Sequence, residues 1–190
     1  EFDEMAKLVS PYVIEVYRYY KEEYIMECMD YSLSSYLEKH NATIWGQQRK
    51  SIGLQILKAF AYIHTKNLLH RDISPRNVLI KEYEDSIIVK ISDFGLVKVP
   101  QSDLTSIQTE VKGCFNDPSL VVDGFSDYAL PHEIYALTRL LYYVITGKIN
   151  LDKANGSKIK SFIAKGTNAN KSGRFKNLEE LRSAFVNLFE

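Results

Sequence analysis

Cysteine is almost absent from this sequence of 190 residues, which contains only Cys28 and Cys114. Two cysteines so far apart do not form the dense disulfide framework that small secreted domains use in place of a large core. The chain therefore fits a reducing compartment, and the cytoplasm is its predicted location.

Long apolar runs and an excess of one charge are also lacking. No stretch reaches the roughly 18 uncharged apolar residues that a membrane-spanning helix needs, and the first residues lack the apolar core of a signal peptide. The 24 basic and 24 acidic side chains balance, which argues against a nucleic-acid-binding surface. The lysines near the C-terminus are accordingly interpreted as a solvated helix face: Lys153, Lys158, Lys160 and Lys165.

The residues that are present describe a globular chain. Hydrophobic residues make up 45% of the sequence and charged residues 25%, which allows a sizeable core within at most one large domain. The first residue is Glu1 rather than methionine. We therefore expect the sequence to be a piece of a longer protein.

The start of the chain is predicted to hold a helix end and one β-hairpin. Proline disfavours helix in the residue before it, so Ser10 and Pro11 end the first helical pattern. Residues 13–20 and 23–29 are rich in Val, Ile and Tyr and flank a polar turn, which is typical of two antiparallel strands.

The remainder is predicted to be mainly helical, with one further hairpin. Apolar residues at helical spacing predict a long helix over residues 52–64 and another over residues 133–146, which Gly147 ends. Between these helices, β-rich pieces at 78–80 and 87–91 flank a charged turn. A last apolar stripe comprises Leu178, Leu181, Phe185 and Leu188.

Two short motifs in a fixed order point to the chemistry. Residues 70–77 read His-Arg-Asp-Ile-Ser-Pro-Arg-Asn and follow the long helix, whereas residues 93–95 read Asp-Phe-Gly and follow the second hairpin. Either motif alone is weak, but both together, with the expected helix and hairpin around them, are specific. Over nearly its whole length the chain resembles the eukaryotic-type protein kinase domain.

The resemblance implies a protein kinase that transfers phosphate from ATP to a hydroxyl group, with Mg²⁺ as the cofactor and a Ser/Thr protein substrate as the first expectation. It implies that Asp72 is the catalytic base and that Asn77 and Asp93 hold the metal. Ser74 stands where serine/threonine kinases have a lysine, and Arg76 is expected to supply that positive charge as a catalytic residue.

The resemblance also assigns residues to the ATP-binding cleft. It implies that Met26 is the gatekeeper, that the backbone of Glu27 and Met29 faces adenine, and that Leu79 forms the floor of the site. Glu1 falls where the family keeps the glutamate of its C-helix.

The implied fold is α+β and protein-kinase-like, in two parts. Residues 1–31 would be a partial N-lobe, comprising the end of the C-helix, two strands and the hinge. Residues 32–190 would be a mainly helical C-lobe with the catalytic loop, metal-binding loop and activation segment. The glycine-rich loop and strand-three lysine do not precede Glu1. Without them this piece alone would bind ATP poorly. We expect the rest of the parent chain to supply them.

Two further positions depart from the family pattern. Ser119 stands where the family has a glutamate, so Arg174 lacks its usual partner, and Asp117 is the nearby acid expected to replace it. Glu133 stands where the family has an aspartate that anchors the catalytic-loop backbone. Glutamate can accept the same hydrogen bonds with a longer reach.

Residues 98–127 show little periodicity, and a loop of that length is usually functional. We hypothesise that Glu110 in this loop pairs with Arg71 and Lys98 without phosphorylation, the alternative being a solvated glutamate. His70 is interpreted as part of an internal hydrophobic spine, with Phe94, rather than as an acid or base.

A catalytically inactive pseudokinase that acts as an interaction or regulatory module is the alternative function. The intact set of Asp72, Asn77 and Asp93 favours an active enzyme. Turnover that depends on Asp72 distinguishes the two. The sequence does not decide between Ser/Thr, Tyr and a non-protein acceptor, nor does it give the oligomeric state.

Overall fold

The structure, a computed structural model, describes residues 8–20, 23–93 and 115–190. Small antiparallel sheets and a mainly helical body together give the α+β class that the sequence predicts. The strands are β1 (Val16–Tyr20), β2 (Glu23–Met26), β3 (Tyr31–Ser32), β4 (Val78–Glu82) and β5 (Ile87–Ile91). The α-helices are α1 (Leu33–His40), α2 (Gly46–Thr65), α3 (Leu120–Asp123), α4 (Leu130–Thr146), α5 (Ser157–Gly166) and α6 (Leu178–Val186).

Both predicted hairpins form, with shorter strands at the first. β1 pairs with β2 from Val16 opposite Met26 to Tyr20 opposite Glu23. The predicted strand over residues 13–20 was too long, because Val13 instead bridges to Ile91 in the other sheet. Beyond β2, the Glu27 amide still donates to the Glu15 carbonyl at 2.9 Å, after which the chain leaves the sheet.

The second sheet has the strand order β3-β4-β5, and both of its pairings are antiparallel. Val78 lies opposite Ile91 and Glu82 opposite Ile87. Val78 and Ile80 are buried on one face of β4, whereas Leu79 between them is only half-buried. Side chains alternate along a strand, so Leu79 points to the face opposite the core.

Helix α2 confirms the periodicity of the sequence. Its buried positions Ile52, Ile56, Phe60 and Ile63 recur at helical spacing and face the core. A Cβ atom on Gly53 would lie 2.2 Å from the Phe185 ring, so glycine allows α2 and α6 to approach closely.

Helix α4 is the most deeply buried element, and its side chains from Ile134 to Val144 are almost all inaccessible to solvent. It ends at Gly147, as predicted, with φ at 67° and an amide that donates to the Tyr143 carbonyl at 2.7 Å. This buried helix carries Glu133, which contacts the candidate site.

The expected loop at residues 98–127 is partly helical where the structure describes it. Residues 120–123 form α3, and Phe125–Asp127 form a 3₁₀ turn. Elements this short contain too few residues for a periodic pattern, which is why the sequence did not predict them. Over the described ranges, none of the helices has the length and apolar character needed to cross a membrane.

Candidate active site

The β4–β5 hairpin brings the two sequence motifs together. The first motif, residues 70–77, lies between α2 and β4, and Asp93 follows β5. Because Val78 pairs with Ile91, the residues just beyond the pair are also adjacent: the Ser92 amide donates to the Asn77 carbonyl at 2.9 Å. Asn77 and Asp93 therefore lie at the same end of the hairpin.

Asp72 and Asn77 are directly hydrogen-bonded. The Asn77 Nδ2 donates to the Asp72 carboxylate Oδ2 at 3.0 Å and to the Asp72 carbonyl at 2.9 Å. This double contact fixes the direction of the carboxylate. It also commits the amide nitrogen of Asn77, so that its Oδ1 is the atom left to bind a hard cation.

Two residues of the site have left-handed backbone conformations. The φ angle is 70° at Arg71 and 60° at Asp93, which is uncommon for residues other than glycine. Such a conformation costs on the order of 1–3 kcal/mol and persists only where the surroundings impose it. Strained backbone therefore lies at Arg71, next to Asp72, and at Asp93, the first residue of the second motif.

Glu133 binds the backbone of the first motif. It is fully buried on α4, where its Oε2 accepts from the His70 amide at 2.9 Å and its Oε1 lies 2.6 Å from His64 Nε2. The prediction that Glu133 accepts hydrogen bonds from the catalytic-loop backbone is confirmed. Its longer side chain reaches a second partner on α2 at the same time.

Replacing Glu133 with alanine is expected to lower the free energy of unfolding by about 1–3 kcal/mol, because the buried His70 amide loses its acceptor. The variant should also lose turnover, since the backbone that carries Asp72 is loosened. Urea denaturation and kcat measure the two effects. Glu133→Gln keeps a side-chain oxygen for His70 and should lose less stability; equal losses in the two variants would show that the acceptor is not what matters.

His70 is held in place by hydrogen bonds at both ring nitrogens. Its side chain is buried, its Nδ1 accepts from the Asp72 amide at 3.3 Å, and its Nε2 lies 2.9 Å from the Ser92 carbonyl. A carbonyl cannot donate, so Nε2 carries the proton. With both nitrogens engaged, the geometry agrees with the interpretation that His70 is neither acid nor base. Its proposed spine partner Phe94 lies outside the described residues.

The residues assigned to the ATP cleft lie at the end of β2, just after it, and within β4. Met26 is 41% exposed at the end of β2, and Met29 and Leu79 are half-buried. The amide of Glu27 is used by Glu15, so its carbonyl is the backbone group left to face a ligand, while its carboxylate lies 2.5 Å from Lys90 Nζ. Glu1 lies outside the described residues.

Arg76 and Arg71 lie in different environments. Arg76 is exposed. Arg71 is 5% exposed, and its Nη2 donates to the Phe125 carbonyl at 2.6 Å. Glu110, whose carboxylate was hypothesised to pair with Arg71 and Lys98, lies outside the described residues, as does Lys98, so that hypothesis stays a prediction.

Asp117 replaces the missing partner of Arg174, as predicted. The two side chains form an ion pair in which Arg174 is 1% and Asp117 3% exposed. The arginine also donates to the carbonyls of Pro131 and Asn168, and Asp117 Oδ1 accepts from the Ser119 amide. Burial raises the pKa of Asp117, but the hydrogen bonds from Arg174 and Ser119 outweigh it and the pKa is lowered.

Sequence reasoning missed a second ionic contact in the same segment. Asp123 at the end of α3 lies 2.5 Å from Lys171 Nζ and 3.3 Å from His132 Nε2. The pKa of Asp123 is lowered to about 2, and the hydrogen bond from Lys171 contributes most to that shift. No motif carries this contact, because it joins residues that are 9 and 48 positions apart in the chain.

The oxygen donors of Asn77 and Asp93 are of the kind that binds magnesium. In the described part of the chain, no group of three or more His, Cys, Asp or Glu side chains could hold a metal ion. Mg²⁺ in nucleotide sites is typically bound by one or two carboxylates together with phosphates and water. One carboxylate from Asp93 and one amide oxygen from Asn77 fit that pattern.

Comparison with known proteins identifies the family of the chain. The profile described as "Protein kinase domain" matches residues 1–189. The chain is 31% identical over 192 residues to "Serine/threonine-protein kinase Nek8" of Danio rerio, covering 97% of this chain and 27% of that protein. It is 28% identical over 186 residues to "Serine/threonine-protein kinase RAD53" of Saccharomyces cerevisiae, covering 88% of this chain and 22% of that protein.

The fold agrees with a solved structure. The crystal structure titled "Crystal structure of Rad53 kinase domain and SCD2" matches with a TM-score of 0.75 at 22% identity, covering 97% of this chain and 73% of the other. The likeness covers the sheets and the helical body alike. The chain spans about a quarter of the length of the curated relatives that it matches.

Proposed function

We propose, because this chain belongs to the protein kinase domain family, that it transfers the terminal phosphoryl group of ATP to a serine or threonine hydroxyl of a protein substrate. The single observation that carries the proposal is the hydrogen-bonded pair of Asp72 and Asn77, at the same end of the hairpin as Asp93. Two relatives named as serine/threonine kinases support the choice of acceptor.

Asp72 would act on the acceptor hydroxyl. Its carboxylate is oriented by Asn77 and its backbone by Glu133 through His70, so it can accept or orient the proton without reorganising. The exposed guanidinium of Arg76, four residues on, supplies positive charge near the transferred group. Positioning and charge neutralisation are the main needs of phosphoryl transfer.

Asn77 Oδ1 and the Asp93 carboxylate would hold Mg²⁺. When bound, the metal neutralises negative charge on the phosphates of ATP. Asp93 has a left-handed backbone conformation and lies two residues after the end of β5. Adenine would lie against the backbone of Glu27 and Met29, with Met26 and Leu79 as apolar neighbours.

The division into a partial N-lobe at 1–31 and a C-lobe at 32–190 belongs to the same proposal, with the remaining N-lobe elements supplied by the rest of the protein. Location in the cytoplasm is also proposed. Cys28 is an exposed free thiol, which supports a reducing environment.

Replacing Asp93 with asparagine tests the metal assignment in the full-length protein. The variant loses a hard anionic ligand, so Mg²⁺-dependent binding of a non-hydrolysable ATP analogue should weaken by about tenfold or more. Calorimetric titration at several Mg²⁺ concentrations measures this.

Asp85→Asn is the matched control, because Asp85 is an exposed aspartate in the β4–β5 turn. It should bind the analogue as the wild type does. If binding of the analogue by Asp93→Asn depended on Mg²⁺ as in the wild type, Asp93 would not be a metal ligand. A wild type that binds no nucleotide with Mg²⁺ would contradict the proposed function.

A further inference from the structure

The side chain of Arg71 contacts Phe125, the first residue of the 3₁₀ turn. Its guanidinium carbon lies 4.3 Å from the centroid of the Phe125 ring, and its Nη2 donates to the Phe125 carbonyl at 2.6 Å. Phe125 therefore supplies both an aromatic face and a hydrogen-bond acceptor to the residue that precedes Asp72.

Tyr128 forms a second wall and connects the contact to the core. Its ring centroid lies 5.9 Å from the Arg71 guanidinium carbon and 5.7 Å from the Phe125 ring. Tyr128 is 3% exposed, and its ring packs 5.6 Å from that of His132 near the start of α4. The two rings are thus fixed relative to the helix that also carries Glu133.

The surroundings of Arg71 strengthen its contact with the rings. Burial lowers the pKa of Arg71, and the negative charge of Glu133 acts in the opposite direction. The ordinary pKa of arginine is so high that the guanidinium stays charged in this poorly hydrated place. A cation over an aromatic face is attracted more strongly when it is desolvated. The contact also supports the left-handed backbone at Arg71, which needs its surroundings to persist.

We propose that Phe125, with Tyr128 behind it, is a positioning residue that holds Arg71 and thereby Asp72 in place without a phosphate group on residues 98–114. The proposal rests on the proposed function. In protein kinases whose activation loop is ordered by phosphorylation, new pairs between arginine and phosphate provide the order. Here Phe125 contacts the arginine through a carbonyl and a ring, neither of which carries a formal charge.

The aromatic face is tested by Phe125→Leu in the full-length protein, with Phe125→Tyr as the conservative variant. Leucine keeps much of the apolar volume but has no π face. Phe125→Leu should lower kcat about tenfold and leave KM for ATP unchanged, because Asp72 is displaced while the cleft is not. Phe125→Tyr should recover most of kcat. Val122→Ala, at an 89% exposed position of the same segment, is the matched control.

A readout besides activity is hydrogen exchange in the peptide that covers residues 70–77. Exchange should become faster in Phe125→Leu and remain at the wild-type rate in Phe125→Tyr and Val122→Ala. A rate unchanged in Phe125→Leu overturns the proposal, whether or not the protein transfers phosphate.

Independence from phosphate is tested by replacing the four hydroxyl residues of the loop with alanine together: Ser102, Thr105, Ser106 and Thr109. We expect kcat within about twofold of the wild type, and the same tenfold loss when Phe125→Leu is added. A tenfold or greater loss in the fourfold variant alone overturns the proposal. Wild-type transfer no faster than that of Asp72→Asn would instead refute the proposed function.

Discussion

Replacing Asp72 with asparagine lowers kcat by about 10²- to 10⁴-fold while the protein stays folded and binds ATP as before. Asparagine has the same shape but cannot accept a proton, and the contact with Asn77 lies at one carboxylate oxygen only. The loss should therefore lie in kcat rather than in KM for ATP. Transfer of radiolabelled phosphate to a protein substrate measures it in the full-length protein.

Asp152→Asn is the control for this change, because Asp152 is an exposed aspartate far along the chain in a 3₁₀ turn. It should transfer phosphate at the wild-type rate, and both variants should melt within a few degrees of the wild type. A kcat for Asp72→Asn within about threefold of the wild type would exclude Asp72 as the base.

Replacing Arg174 with alanine is expected to lower the free energy of unfolding by about 3–5 kcal/mol, the usual cost of leaving one partner of a buried ion pair alone. Asp117 would keep its charge at 3% exposure with only the Ser119 amide as a partner, and the Pro131 carbonyl would lose a donor. Urea denaturation, analysed by linear extrapolation, measures the change.

Arg182→Ala is the matched control. Arg182 is 46% exposed and pairs with the exposed Glu179 at 3.5 Å, so its loss should cost about 0–1 kcal/mol. Asp117→Ala combined with Arg174→Ala should recover part of the stability, because no charge is left unpaired. If Arg174→Ala lowered the free energy of unfolding no more than Arg182→Ala does, the ion pair of Arg174 with Asp117 would not be what stabilises this segment.

The same pair makes stability depend on pH. The folded-state pKa of Asp117 is lower than its ordinary value of about 4. Its contribution is therefore complete above the ordinary value and is lost as the pH falls through the folded-state value. In Arg174→Ala, the loss of stability as the pH falls should therefore be smaller than in the wild type.

Local patterns account for the elements that the sequence predicted well. The spacing of Ile52, Ile56, Phe60 and Ile63 is a property of one segment, and so is the glycine that ends α4. The predicted strand ends were less accurate. Val13 does not join the first hairpin, because it bridges to Ile91, 78 positions away in the chain.

The candidate site divides in the same way. Asp117 could be predicted because the resemblance left Arg174 without its usual acid and Asp117 is nearby. Glu133 could be predicted because it stands where the family has an aspartate that anchors the catalytic-loop backbone. The contacts of Asp123 with Lys171 and of Arg71 with Phe125 could not be predicted. They join distant residues of ordinary type, and only the folded backbone brings them together.

The most direct test of the central claim is transfer of labelled phosphate from ATP to a generic protein substrate by the full-length protein, with and without Mg²⁺, followed by phosphoamino-acid analysis. The account predicts Mg²⁺-dependent labelling of serine or threonine that is lost in both Asp72→Asn and Asp93→Asn. Labelling that survives in both variants, or a folded wild type that transfers no phosphate with Mg²⁺, would contradict it, and the second result would favour a catalytically inactive module.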